Sequence, residues 1–505
     1  MIVIPENILT KYQTNAPRYT SYPPITNWNS ISDGNGNGNE NIAKEWFHSL
    51  INRSESNGNG EIELQIYIHI PFCKYKCKYC GCYRIPNMNP LPIEAENSYI
   101  QAILEEFEIY INNLSSSFSE ISLAGLHLGG GTPNILSNAT LTHLISSIFS
   151  KLNVKSNARS NLKNNDFLAS IEIDPRLATP EQLQLLYNLG IRKFSFGVQD
   201  LDQNVLKMIG REQTQQTQQT QQTQQTLENL KELIKYLREI ENTSINFDLI
   251  YGLPGQTKKS MKETVEKVLE LSPDTIAFYS YAHVPWHAFD QQELEKFPIA
   301  SGSLKRELFE VATEMLTSEM LSANKSYIPI GMDHFSKQDD LLYIGYKKHN
   351  LKRSFMGYTC NLAYVTLALG ASAISSSNNF FVQNEKDIDL YKESILKQKK
   401  LPLIKYYQKN AEDILVAKVI EELMIYLKVS SDLLEKLKQC SFWNEIDKRL
   451  QDLKSDGLIS MQESGPKSTL EVTELGRVFL RNIAMAFDYR LHALSIGTKK
   501  FSSTI

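Results

Sequence analysis

A chain of 505 residues exceeds the roughly 250–300 that one hydrophobic core organises, so two units are the starting expectation. Hydrophobic residues at 42% and charged residues at 22% describe a packed globular protein, and a net charge of -4 argues against a non-specific nucleic-acid binder. The amino terminus, "MIVIPENILTKYQTNAPRYT", has neither a basic stretch ahead of a long apolar run nor an arginine-rich, acid-poor character, which reads as a cytoplasmic protein.

Two early stretches, "DGNGNGNENI" and "NRSESNGNGE", read as Gly/Asn-rich surface turns. From about residue 62 short β-branched or aromatic runs alternate with amphipathic stretches. The runs are "IELQIYIHI", "GLHLGGG", "FLASIEID", "KFSFGVQ", "INFDLIYGLP" and "TIAFYSYAHVP". Between them, "YIQAILEEFEIYINNL" and "KKSMKETVEKVLEL" repeat apolar residues every three or four positions. Strand alternating with helix predicts an α/β fold with a parallel sheet and right-handed crossovers, and six units predict a partial (β/α)6 barrel.

Within that pattern, "QTQQTQQTQQTQQT" from Gln213 has no apolar face and reads as an exposed, passive extension. "NLAYVTLALGASAIS" from Asn361 is too short and too polar for a membrane span and reads as a buried element. After about residue 400 helices dominate, ending in a short hairpin and a last helix that look winged-helix-like. The expected division is an N-terminal arm over residues 1–60, a catalytic α/β domain over 61–385 and a helical C-terminal domain over 386–505.

Four of six cysteines lie in "YIHIPFCKYKCKYCGCYR". Disulfides are rare in a reducing compartment, so these thiols bind metal or do chemistry. Cys73-x3-Cys77-x2-Cys80 puts three soft ligands on one tight loop, which suits a four-iron cube with one iron left open. Zinc ribbons pair two C-x2-C knuckles, and Cys360 and Cys440 are isolated, so zinc is the lesser alternative. Cys82 either closes the cube as a fourth ligand or stays a free thiol near the substrate. Its spacing from Cys80 favours the free thiol.

C-x3-C-x2-C after a strand is the signature of the radical S-adenosylmethionine (SAM) enzymes. With "APRYTSYPP", "CKYCGC", "HLGGGTPN", "IEIDPR", "FSFGVQD", "INFDLIYGLPGQT", "YAHVP", "IGMDHF", "GYT", "GASAIS" and "RNIAMAFD" in order, the chain resembles the oxygen-independent coproporphyrinogen III oxidase (dehydrogenase) family. "LKRSFMGYTC" and "YSYAHVPWHAF" depart from the usual pattern at several positions.

The resemblance implies a [4Fe–4S] cluster on Cys73, Cys77 and Cys80 and two SAM molecules per chain. It further implies a 5′-deoxyadenosyl radical that drives decarboxylation of two propionates of coproporphyrinogen III to vinyls, giving protoporphyrinogen IX. Carried over by motif, Tyr67, Gly130, Glu172 and Ile374 would line the SAM at iron, and Tyr79, Gly131, Thr132, Gln199, Arg211, Asp248 and Ala282 the second. Cys82 is the candidate catalytic thiol.

Each assignment has a plainer reading beside it: a tight turn for the glycines, a core tyrosine for Tyr67, a satisfied core histidine for His69, and for Glu172 a solvated carboxylate or an ion pair with Arg176. Arg18, Tyr19 and Arg353 are candidates to meet the propionates.

The implied partners are the substrate and an unidentified electron donor and acceptor, with neither nucleic acid nor membrane, and the implied state is a monomer. Two rivals share the motifs: a radical SAM-type haem-binding or haem-delivery protein, and a redox-sensing regulator whose C-terminal region touches DNA.

Overall fold

The computed structural model describes residues 4–31, 38–57, 60–154, 168–211, 227–300, 302–320, 326–360, 363–464, 467–493 and 501–504. Six parallel strands follow one another in chain order across the centre of the main sheet: β1 Glu61–Ile70, β2 Glu120–Gly130, β3 Leu168–Ile173, β4 Lys193–Gln199, β5 Ser244–Tyr251 and β6 Thr275–Ser280. These are the six runs expected from alternation. Beyond β6 the hairpin β7 Ile328–Ile330 and β8 His334–Ser336 pairs antiparallel.

On the other side of β1 lies β9 Val365–Leu369, parallel to it, followed by the antiparallel strands β10 Ile374–Ser376, β11 Phe380–Asn384 and β12 Leu403–Gln408. The apolar stretch from Asn361 is therefore a buried strand and its return. Among the described residues the main sheet ends at Asn29–Ser30 and at β7 without closing, so the barrel is partial. Its last strand, β12, lies beyond residue 385 in sequence. No helix among the described residues is long and apolar enough to cross a membrane.

The covering helices include α1 Gly38–Asn57, α2 Ile93–Ser115, α3 Asn138–Lys151, α4 Pro180–Asn188, α5 Lys258–Leu271 and α6 Gly302–Leu316. Three of them start on side-chain caps: Ser137 accepts from the Thr140 amide, Thr179 from Gln182, and Thr257 forms a reciprocal capping box with Ser260. Helix α1 corrects the reading of its two ends as surface turns; residues 33–37 and 58–59 of those stretches lie outside the described residues. Ile42, Trp46 and Leu50 recur every four residues and are buried against the main core, and that packing outweighs the Gly/Asn-rich flanks. The glutamine tract lies outside the described residues.

The C-terminal region alternates helix Ala411–Tyr426, strand Lys428–Val429, helices Ser431–Leu437 and Trp443–Ser455, and the hairpin Ile459–Ser464 with Lys467–Val472, the winged-helix-like order expected. It has its own apolar cluster, which Ile8, Tyr19 and Tyr22 of the arm join.

Helix α2 braces the strand ends that carry the site. Tyr99 donates to the His69 carbonyl at 2.9 Å and accepts from the Ala371 amide. Glu106, fully buried, accepts from the Gly370 amide, Asn384 Nδ2 and the Tyr391 hydroxyl. Burial, offset in part by these bonds, pushes its carboxyl up to about 7. A carboxyl raised in the fold binds its proton more tightly there than in the unfolded chain, so stability is lost as pH rises from the ordinary Glu range through about 7. In Glu106→Gln the thermal midpoint should change less between pH 5 and pH 7.5 than in the parent, and an unaltered pH profile would show that another group sets the slope.

Candidate metal centre

The cysteines sit on the loop that leaves β1. Its base is clamped by backbone hydrogen bonds from Ile85 to Pro71, from Cys73 to Ile85 and from Met88 to Cys73. Its far side is tied by Lys78 N to the Ile209 carbonyl and by ion pairs of Lys76 and Arg84 with Asp290.

The end of β2 presses against that base. A Cβ at Gly131 would stand 2.5 Å from the Pro71 carbonyl oxygen, and Gly130, at φ +114°, lies so close to the His69 ring that no side chain fits. Only glycine lets the two strand ends meet.

Cys73 and Cys77 are buried, Cys80 is half-buried and Cys82 is the exposed member of the four. The sulfurs are met by donors. Thr132 Oγ1 donates to Cys73 Sγ at 3.3 Å, and Arg176 Nη2 and Arg211 Nη1 lie 3.6 and 3.7 Å from Cys77 Sγ. Arg84 donates to the Cys77 carbonyl at 2.8 Å and lies beside Cys80. Burial pushes the Cys73 thiol up to about 12, whereas the hydrogen bond from Cys82, with Arg84 nearby, lowers Cys80 to about 6.

Among the described residues no three His, Cys, Asp or Glu converge as a ready cage for a metal ion. The fit therefore rests on donor chemistry. Three soft sulfurs, three guanidiniums beside them and a hydroxyl aimed at one sulfur suit an anionic iron–sulfur cluster.

Around the loop the strand ends supply two polar groups. In the first, Tyr67 stacks on His127 and donates to His69 Nδ1 at 2.9 Å; His69 Nε2 must then carry the proton, because it faces the Tyr83 carbonyl at 3.1 Å. Burial lowers His69, which stays neutral and satisfied, as its plainer reading held. Glu172 accepts from the Gly130 amide at 3.1 Å and faces His127 at 3.4 Å. Burial would raise it, but His127 and the amide outweigh that and hold it below the usual range. On β5, Asp248 accepts from Ser195 and Asn246, and burial, then repulsion from Glu172, pushes it up to about 7.

In the second group Asp174 pairs with Arg176 at 2.5 Å and with Arg211 at 3.6 Å, so Arg176 belongs to Asp174 rather than to Glu172. Burial raises Asp174, but the two guanidiniums overcome it and hold the carboxyl well below its ordinary value. Arg211 also donates to the Tyr79 hydroxyl at 3.1 Å and to the Gly197 carbonyl. Gln199 ends β4 at φ +68°, a left-handed conformation that side chains rarely adopt. Ala282 follows β6, and Gln291 donates to both its carbonyl and that of Tyr79.

Ile374 starts β10 and packs against the cluster of Trp28, Phe381 and Tyr407. Asp174, His127 and Gln291 were not read from the sequence as site residues. Asp174 had a signal, a carboxylate and an arginine two residues apart at a strand end in "IEIDPR".

Of the proposed propionate contacts, Tyr19 donates to Asp488 at 3.0 Å and Arg353 to the carbonyls of Arg18 and Tyr19, so both anchor the arm. Arg18 reaches the Ser280 carbonyl at 2.6 Å.

Comparison with known proteins agrees with this arrangement. The family model described as Radical SAM superfamily matches residues 67–268. Oxygen-independent coproporphyrinogen III oxidase from Helicobacter pylori is 34% identical over 98% of both chains, and that from Escherichia coli K12 is 31% identical over 95% of this chain and 94% of its own. The solved structure of coproporphyrinogen III oxidase from Escherichia coli, described as a radical SAM enzyme, superposes with a TM-score of 0.78 at 28% identity, covering 97% of this chain and 100% of that one. The chain belongs to the oxygen-independent coproporphyrinogen III oxidase family of radical SAM enzymes.

Proposed function

We propose that the protein removes two propionate carboxyls of coproporphyrinogen III without oxygen, giving protoporphyrinogen IX. For each propionate a hydrogen atom is taken, carbon dioxide leaves, a vinyl group remains and one electron passes to an acceptor. The observation that carries this reading is the three-cysteine loop whose sulfurs receive Thr132, Arg176 and Arg211, in a chain alike over its whole length to coproporphyrinogen III oxidases. When bound, a [4Fe–4S] cluster and SAM supply the 5′-deoxyadenosyl radical that takes the hydrogen.

Cys73, Cys77 and Cys80 would hold the cluster, and Cys82 stays a free catalytic thiol. Two SAM molecules share the site. Tyr67, Gly130, Glu172 and Ile374 line the first, where the ionised Glu172 suits an ammonium or ribose hydroxyls. Tyr79, Gly131, Thr132, Gln199, Arg211, Asp248 and Ala282 line the second, where Asp248, titrating near neutrality, both accepts from and donates to hydroxyls. Residues 1–60 form an arm, 61–385 the catalytic domain and 386–505 a helical cover, with β12 of the cover completing the sheet. The protein is a cytoplasmic monomer whose partners are its substrate, an electron donor and an electron acceptor.

Reconstituted anaerobically with reductant and SAM, the protein should release carbon dioxide from coproporphyrinogen III, and haem binding without release would favour the carrier instead. Cys77→Ser should lose the cluster absorption together with turnover. Cys82→Ser should keep that absorption and the SAM-induced change in paramagnetic resonance while losing about tenfold or more in rate; loss of the absorption would make Cys82 a ligand. Thr132→Val removes a hydrogen bond to a cluster sulfur, so the reduced form is less stabilised and the midpoint potential should fall with iron content unchanged. An unmoved potential would leave Thr132 no part in tuning.

A further inference from the structure

A cavity of about 530 Å3 lies between α6, the β7–β8 hairpin and the C-terminal helices, on the far side of the strand wall from the cysteines. Strand alternation fixes the side. Asp248 faces Ser195 and the site, so Tyr251, three residues on, faces the other way, where its ring packs on Phe309 of α6 at 5.2 Å. Tyr251, Phe309 and Phe335 give the cavity an apolar wall.

Five cations line it: Arg18 of the arm, Lys305 and Arg306 of α6, Arg477, and Arg481 of helix Leu480–Phe487. Arg306 is taken by Glu310, and the site is built on Arg18, Lys305 and Arg481. Lys305 is 7% and Arg481 6% exposed. Among the described residues the hydrogen bonds of these three go to neutral groups. Arg18 donates to the Ser280 carbonyl, Lys305 to the Tyr281 carbonyl at 2.9 Å, and Arg481 to the carbonyls of Ala16, Pro17, Ser502 and Ser503 and to the Ser502 hydroxyl.

The acids on the same wall are otherwise engaged or exposed. Glu310 is held by Arg306 at 2.6 Å and Asp333 by His334 at 2.7 Å, although Asp333 still attracts Arg18; Glu314 and Glu474 are exposed to solvent. Burial, then Arg18 and Arg481, lower Lys305 to about 7, and burial and Arg18 lower Arg481 to about 9. Asp333 offsets Arg18 in part, but among the described residues no carboxylate hydrogen-bonds the buried Lys305 or Arg481, and such cations mark a place for an anion.

We propose that this cavity is a binding site, separate from the cysteine centre, for a carboxylate-bearing ligand with an apolar body. The Arg18 guanidinium and the Lys305 ammonium would receive the carboxylate and the aromatic wall the body, in a volume within the roughly 300–1,000 Å3 of small-molecule sites. Because Arg481 joins both chain termini at its edge, an occupant would also fasten the arm to the C-terminal helices.

Coproporphyrin III, laurate and succinate serve as probes in equilibrium binding to the cluster-loaded chain without reductant, so the result is independent of turnover. Coproporphyrin III or laurate should show a saturable event that Lys305→Gln weakens about tenfold and Glu172→Gln leaves unchanged. Which of the two binds tells a tetrapyrrole from an alkyl carboxylate as the source. Lys305→Gln keeps a donor for the Tyr281 carbonyl while removing a buried charge, so its thermal midpoint should not fall; Arg18→Gln repeats the test from the arm. Equal binding by the parent and both variants, loss with Glu172→Gln, or succinate binding as tightly as the larger probes would overturn the proposal.

Discussion

The structure depends on a backbone meeting. Where β1 and β2 end, the chain at Gly131 comes so close to the Pro71 carbonyl that a methyl group has no room, and the Gly131 amide donates to the Ile70 carbonyl at 2.7 Å. That contact sets the direction in which the cysteine loop leaves the sheet. It also brings Thr132, the next residue, to Cys73, and it leaves the Gly130 amide to fix Glu172. One steric requirement, met by side-chain-free residues, thus places a thiol, a hydroxyl and a carboxylate together.

Electrostatics then divides the site. The sulfurs lie in a positive environment made by Arg84, Arg176 and Arg211, two of which are steadied by Asp174. The carboxylates of β3 and β5 are tuned in opposite directions: Glu172 is kept ionised by His127 and an amide, while desolvation and then the Glu172 charge raise Asp248 to about 7. Two carboxylates on one sheet face with opposed proton affinities can recognise different groups of polar cofactors.

Whereas α1 belongs to the main core, the first part of the arm, from Ile8 to Tyr22, is structurally part of the C-terminal region. Tyr19 and Tyr22 belong to its apolar cluster, Asp488 holds the Tyr19 hydroxyl, and Arg481 gathers carbonyls from residues 16 and 17 and from 502 and 503. Arg353 closes the same contact from the barrel side. First and last segments are therefore fixed to each other over the outer wall of the sheet, and the cation-lined cavity lies where they meet it.

Taken alone, the sequence determined the six central strands, because short β-branched and aromatic runs recur between amphipathic helical stretches, and the cysteine loop, because ligand spacing is local. It also determined the family, through ordered motifs spread over the chain. Tertiary structure decided that Asp174, not Glu172, takes Arg176, that Tyr19 and Arg353 anchor the arm, that Ile374 packs beside Trp28, Phe381 and Tyr407, and that α1 is a helix despite its Gly/Asn-rich flanks. The physical reason is reach. Periodicity and spacing report neighbours within a few residues, whereas a charge such as Arg481 finds partners at residues 16 and 503 only once the C-terminal apolar cluster has brought them together.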